Sequence, residues 1–153
     1  MPESSSALTR VTQMIKVKYH TDIDDLKQVD GSDWIDLRCA EEVVVLPGEY
    51  IEIPLGVSIQ LPKGYEAIVA PRSSTFKHYG ILMVNSIGII DEAYCGDGDE
   101  WRFPAYGTRE TVIPKNARIA QFRLLKHQGE LEILTATHLN NPARGGIGST
   151  GKE

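Results

Sequence analysis

The chain has 153 residues, 41% hydrophobic and 24% charged, enough for one domain with a core of its own. Its net charge of −5 excludes the basic stripe that a nucleic-acid polymer would need, and no apolar run reaches the roughly 18 residues of a membrane span. Two cysteines without a CxxC and four scattered histidines give no metal-site spacing and predict a cytoplasmic protein with reduced thiols.

Residues 1–12 are polar and Ser-rich and lack an apolar signal core, so they are expected to be a disordered tail. From residue 13 to 140 alternation dominates and predicts a single β domain. Met14–Tyr19 sets Ile15, Val17 and Tyr19 on one face and Lys16 and Lys18 on the other. Tyr50–Leu55, Val57–Leu61, Ala67–Ala70, Arg118–Leu125 and Leu131–Ala136 read as further short strands. Turn signals fall between them at Pro47-Gly48, Pro62-Lys63-Gly64, Pro114-Lys115-Asn116 and His127-Gln128-Gly129. No helical period lasts three turns, so the fold class is all-β, a sandwich or barrel. The exception is Ser73–Gly80, where Ser at the N-cap and Gly at the C-cap predict a helix of about two turns, its free N–H groups lying beside Arg72. Residues 141–153 are Gly-rich and are expected to form a flexible C-terminal arm.

Chemistry concentrates in three places. Residues 85–96, Asn-Ser-Ile-Gly-Ile-Ile-Asp-Glu-Ala-Tyr-Cys-Gly, set Asp91 three residues before Tyr94. A carboxylate held against an ordered water can take its proton during attack on phosphorus. Arg72-Ser73-Ser74 offers a planar charged fork with neutral hydroxyl donors, a suitable cradle for phosphate. The tail adds one Arg among Gly, Ser and Thr. An acid, a phosphate cradle and an aromatic platform point to a nucleoside-phosphate hydrolase. The negative net charge does not oppose a small anion, which a few arginines, backbone N–H groups and a divalent cation can hold.

Five blocks then match a family in order. Asp33-Trp34-Ile35-Asp36-Leu37-Arg38, Ala70-Pro71-Arg72-Ser73-Ser74, Asn85 through Gly96, Arg118-Ile119-Ala120-Gln121, and Arg144-Gly145-Gly146-Ile147-Gly148-Ser149-Thr150-Gly151 resemble motifs one to five of the trimeric dUTPases. Asp-Trp-Ile-Asp-Leu-Arg and Pro-Arg-Ser-Ser-Thr look most like the enzymes of Gram-positive bacteria and their phages. The resemblance implies a distorted β jelly roll (the dUTPase-like β-clip) with one short helix after the Arg-Ser-Ser turn. It also implies a homotrimer whose active sites are shared between subunits, and Mg²⁺-assisted hydrolysis of dUTP to dUMP and pyrophosphate.

Residue by residue, the resemblance makes Asp91 the general base that aims water at the α-phosphate. Tyr94 packs on the deoxyribose and excludes a 2′-hydroxyl. Asn85, with Gly88 and the backbone of Ile89 and Ile90, reads the acceptor–donor–acceptor edge of uracil. Arg72, Ser73, Ser74 and Gln121 contact phosphates, and Asp36 meets Mg²⁺ through water. Arg144, Gly148, Ser149 and Thr150 close on the phosphates from the arm. Here the chain departs from the family, whose usual R-G-x-G-G-F-G-S carries a Phe over the base. The block is two residues shorter and holds Ile147 at the lid position. A group from Trp101-Arg102-Phe103 is expected to replace the lid, with Trp101 and Phe103 on one strand face and Arg102 on the other; the alternative, expected for at least one of the two rings, is that this face is core.

Two rivals stand beside this reading. A dCTP deaminase of the same fold would need a Glu base and further arginines around the Ser-Ser turn, where this chain has Lys77. A regulatory protein of the phage dUTPase type would bind a repressor under nucleotide control. The Ile-Asp-x-x-Tyr signature is that of the hydrolase and not of the deaminase, and the intact Asp91 favours retained chemistry over a purely regulatory role.

Overall fold

The structure, a computed structural model, describes residues 13–146. The expectations for residues 1–12 and for Ile147, Gly148, Ser149 and Thr150 lie outside the described residues. Among the described residues eleven strands and one short helix follow one another: β1 (Lys16–Tyr19), β2 (Ile35–Arg38), β3 (Val43–Val45), β4 (Tyr50–Pro54), β5 (Val57–Gln60), β6 (Tyr65–Pro71), α1 (Thr75–Tyr79), β7 (Ile81–Met83), β8 (Gly88–Ile90), β9 (Arg102–Gly107), β10 (Thr111–Ile113) and β11 (Arg118–Lys126). The strands form four sheets, ordered β1-β5, β3-β10, β2-β11-β6-β8 and β4-β9-β7, and every pairing is antiparallel. Only two of these pairings join strands adjacent in sequence or separated by a single strand; the rest are long-range crossovers, as in a jelly roll.

The alternation seen in the sequence is the inward–outward alternation of these strands. In β9, Phe103, Ala105 and Gly107 are buried while Arg102 and Tyr106 face out. The inward faces meet in one core built around Trp101, Phe103, Phe122, Leu37, Ile53, Ile59 and Ile119. Each such side chain taken from water contributes about 1.5–3 kcal/mol, so these layers hold the loops that carry the polar residues. Trp101 stands edge-on to Phe122 with ring centres 5.1 Å apart.

Two expectations need correction. Leu131–Ala136 forms no strand; Ile133 is 89% and Leu134 76% exposed. Its pattern is strand-like, but it pairs with no strand among the described residues, and an extended segment without a partner strand has no ladder to join. The helix is shorter than expected. Ser74 occupies the N-cap position without a side-chain capping bond, and only five residues are helical. Its C-terminus is firm: Gly80 takes φ 65°, and Arg109 Nη2 donates to the carbonyls of Lys77 and His78. Among the described residues no helix is long and apolar enough to cross a membrane.

Candidate active site

The predicted residues gather into two groups. The first lies where β2, β11 and the end of β6 run side by side. Asp36 points off the face of β2 opposite Leu37, in register with Gln121 on β11. Its Oδ1 meets Arg72 Nε at 3.2 Å, and its Oδ2 meets Arg118 Nη1 at 3.3 Å. Arg72 also donates from Nη1 to the Arg118 carbonyl, and Gln121 Nε2 donates to the Pro71 carbonyl. Thus Asp36, Arg72 and Gln121, far apart in sequence, share one network. Arg118 completes it, although sequence reasoning gave it no role beyond membership in its block; an ion pair spanning 82 residues has no local sequence signal. Ser73 is exposed and Ser74 half-buried, and neither hydroxyl bonds to another described group. Both are therefore available to a ligand.

The second group surrounds a pocket of about 220 Å³ lined by Ile89, Ile90, Asp91, Tyr94, Glu100, Trp101 and Arg102. The tight turn after Met83 brings the chain into β8, with Ser86 at φ 64°, a conformation that residues other than glycine seldom adopt. Asn85 is exposed at this turn, and Gly88 lies against Val69 of β6. After β8 a second turn closes with Tyr94 N–H donating to the Asp91 carbonyl at 3.0 Å, so acid and aromatic ring are fixed relative to each other. Tyr94 Oη donates to the Glu100 carbonyl, while the Glu100 carboxylate accepts the Gly56 N–H and pairs with Arg102 at 3.6 Å. Glu100 therefore organises this wall, a part that sequence reading did not assign. Asp91 itself is exposed.

The lid expectation is corrected for two of its three candidates. Trp101 and Phe103 are 1% and 0% exposed, packed in the core, and neither ring can swing over a base. Trp101 forms part of the pocket's wall only. Arg102, with about half its side chain exposed, is the one that borders the pocket from outside. Arg144 is exposed and lies in a segment without helix or strand. A larger cleft of about 700 Å³ opens beneath β1 and β2 against Phe122 and Leu124, and holds none of the predicted residues.

The two groups do not meet within one chain. In the β6–β8 ladder Ile90 pairs with Ala67 and Gly88 with Val69. Asp91 therefore follows on beside Glu66, six residues along β6 from Arg72, or about 20 Å at 3.3 Å per residue. Asp36 is on β2, at the opposite edge of the same sheet from β8, a further offset of about 14 Å for three strand spacings. No single phosphate can touch both groups in one copy.

The carboxylates offer no ready-made cation cage. Among the described residues no three His, Cys, Asp or Glu lie close enough to hold a metal, and both Asp36 oxygens are engaged by guanidinium groups. Such a donor set suits a hydrated Mg²⁺ carried mainly by phosphates, with Asp36 reaching it through water.

The fold and its polar groups define a jelly-roll protein with an arginine–serine turn and a separate acid–tyrosine pocket. The dUTPase family model matches residues 26–151, and the chain belongs to the dUTPase family. It is similar to the prophage-derived deoxyuridine 5′-triphosphate nucleotidohydrolase YosS of Bacillus subtilis, with 48% identity over 138 residues that cover 90% of this chain and 97% of that one. In fold it resembles a mutant dUTPase of Staphylococcus phage 80alpha, with a TM-score of 0.73 at 19% identity, covering 92% of this chain and 100% of that one. It also resembles a mutant dUTPase of S. aureus phage phi11 that coordinates a structural Mg(II) ion, with a TM-score of 0.70 at 15% identity, covering 82% and 98%. The likeness to Gram-positive and phage enzymes agrees with the Asp-Trp-Ile-Asp-Leu-Arg and Pro-Arg-Ser-Ser-Thr blocks.

Proposed function

We propose that the protein hydrolyses dUTP to dUMP and pyrophosphate, with Asp91 as the general base that draws a proton from water as it attacks the α-phosphorus. The observation that carries this reading is the separation of the two groups. An acid–tyrosine pocket suited to a nucleoside and an arginine–serine site suited to phosphates stand about 20 Å apart along β6. They become one site only when the pocket of one copy meets the anion site of another. A homotrimer with shared active sites supplies that meeting, and each site then joins residues from neighbouring chains. An exposed row of Tyr50, Tyr106 and Leu82, aligned across β4, β9 and β7, adds apolar surface of the kind that associating proteins cover.

In this assembly the nucleoside enters the pocket beside Tyr94. The ring fills the space a 2′-hydroxyl would need, so ribonucleotides are excluded by contact. Asn85, Gly88 and the peptide groups of Ile89 and Ile90 present donors and acceptors to the uracil edge. Cytosine would leave some of them unpaired, which is costly in a closed site. Arg72 and Gln121 hold phosphate oxygens, and Ser73 and Ser74 donate to the oxygen that departs with pyrophosphate, where negative charge grows. Arg144 reaches the phosphates from the arm, while Ile147, Gly148, Ser149 and Thr150 complete the closure. Arg102 is the remaining candidate from its run to cover the base, as a flat guanidinium. Mg²⁺, when bound with the triphosphate, neutralises charge on the oxygens, and Asp36 would contact its water shell.

Replacing Asp91 by Asn keeps shape and hydrogen bonding but removes the base. Turnover should fall by about 10²–10⁴-fold, while a non-hydrolysable dUTP analogue binds as before by calorimetry. Undiminished turnover would refute the assignment.

A further inference from the structure

We propose that Thr75 is a positioning residue for phosphate chemistry, the clasp that fixes the Arg72–Ser74 turn to a bulge in β11. This inference rests on the reading of Arg72, Ser73 and Ser74 as phosphate-binding groups.

Thr75 is 1% exposed and, with Ser58, is one of two polar side chains buried among the described residues. Its hydroxyl accepts the Arg72 N–H at 2.9 Å, and its own N–H donates to the Arg72 carbonyl at 3.0 Å. This reciprocal pair locks the turn that presents Ser73 and Ser74. The hydroxyl proton then goes to the Ile119 carbonyl at 2.8 Å, 44 residues away. Ile119 is where β11 slips register: Arg118 pairs with Arg38 and Ala120 with Leu37, so Ile119 is the extra residue of a bulge. It pairs with no residue of β6 either, since that ladder begins at Ala120 and Pro71. The bulge thus leaves a buried carbonyl in need of a donor, and Thr75 supplies it.

The turn is thereby joined to β11 between Arg118 and Gln121, so the groups on both segments keep one geometry. Ser74, at the N-cap position of α1, makes no side-chain capping bond, and the side-chain bonds that hold the turn come from Thr75. The serine hydroxyls stay free for a ligand, with their backbone held rigid. A valine at this position has nearly the same shape but offers neither acceptor nor donor, and would leave two buried backbone groups unpaired.

The test compares Thr75→Val, Thr75→Cys and Thr75→Ser with the parent protein, and includes the double variant Ser73→Ala/Ser74→Ala. Steady-state dUTP hydrolysis, dUMP affinity and thermal unfolding are measured on each. The valine and cysteine variants should lose about tenfold or more in kcat, with dUMP affinity unchanged because dUMP lacks the departing phosphates. Thr75→Ser, which retains both bonds, should restore kcat. A folded valine or cysteine variant with parental kcat overturns the inference. So does a serine variant as impaired as valine, since the methyl and not the hydroxyl would then be what matters. Should valine not fold, the cysteine and serine variants decide by the same criteria. If the double serine variant loses activity while Thr75→Val keeps it, the clasp alone is wrong. If the double serine variant keeps full activity, the phosphate reading fails and the clasp with it.

Discussion

Single side chains carry the chemistry, and their surroundings explain both what they do and what they leave undone. Tyr94 is held at both ends, through its N–H to the Asp91 carbonyl and its hydroxyl to the Glu100 carbonyl. Tyr94→Ala should raise the ratio of kcat/KM for UTP to that for dUTP; an unchanged ratio would make the ring a packing element. The two thiols contrast sharply. Burial pushes Cys39 up to about 11, while Cys95 is exposed directly after Tyr94. Raising a thiol's pKa suppresses its reactive thiolate at all lower pH. At pH 8 a disulfide reagent should therefore modify Cys95 alone, dUTP should slow that reaction, and Cys39 should react only after unfolding. Rapid reaction of both thiols in the native protein would contradict this. Asp91, Tyr94, Arg72 and Gln121 were picked out as candidates because their blocks have fixed spacing. Arg118, Glu100 and Thr75 were not, because each acts on a residue brought near by the fold. The lid assignment failed for Trp101 and Phe103 for the opposite reason: alternation correctly set them on one face, but that face is the core.

Strands obey their patterns where a neighbour exists. β4, β5, β6 and β11 lie close to the stretches whose alternation announced them, while Leu131–Ala136 has the same pattern and stays unpaired. Period two states that a segment could expose one face and bury the other; only a free sheet edge makes it a strand. The short helix was legible from its serine and its glycine, but its length was not: no side chain caps its start, and only Thr75–Tyr79 are helical. Element junctions are equally exacting. Gly107 ends β9 where it crosses the turn after β3, and a methyl there would collide with the Leu46 carbonyl and the Val45 side chain. Backbone cannot withdraw as a long side chain can. Gly107→Ala should cost about 1–3 kcal/mol, read as a lower urea midpoint with unchanged slope. An unshifted midpoint would mean that β3 and β9 can separate freely.

At the scale of the whole molecule, the two proposed parts of the active site lie far apart in one chain. The β6–β8 register sends Asp91 and Arg72 to opposite ends of a strand, and no side-chain rearrangement spans about 20 Å. The central claim is that these two residues act on one nucleotide from different copies. Subunit complementation tests it most directly. Asp91→Asn and Arg72→Ala chains, each nearly inactive alone, are mixed, unfolded and refolded together, and dUTP hydrolysis is measured. Shared sites predict recovery of about a quarter of parental activity when chains assort at random, because some sites then unite an intact acid with an intact arginine. A mixture no more active than its separate components, although native mass spectrometry shows mixed trimers, would contradict the account.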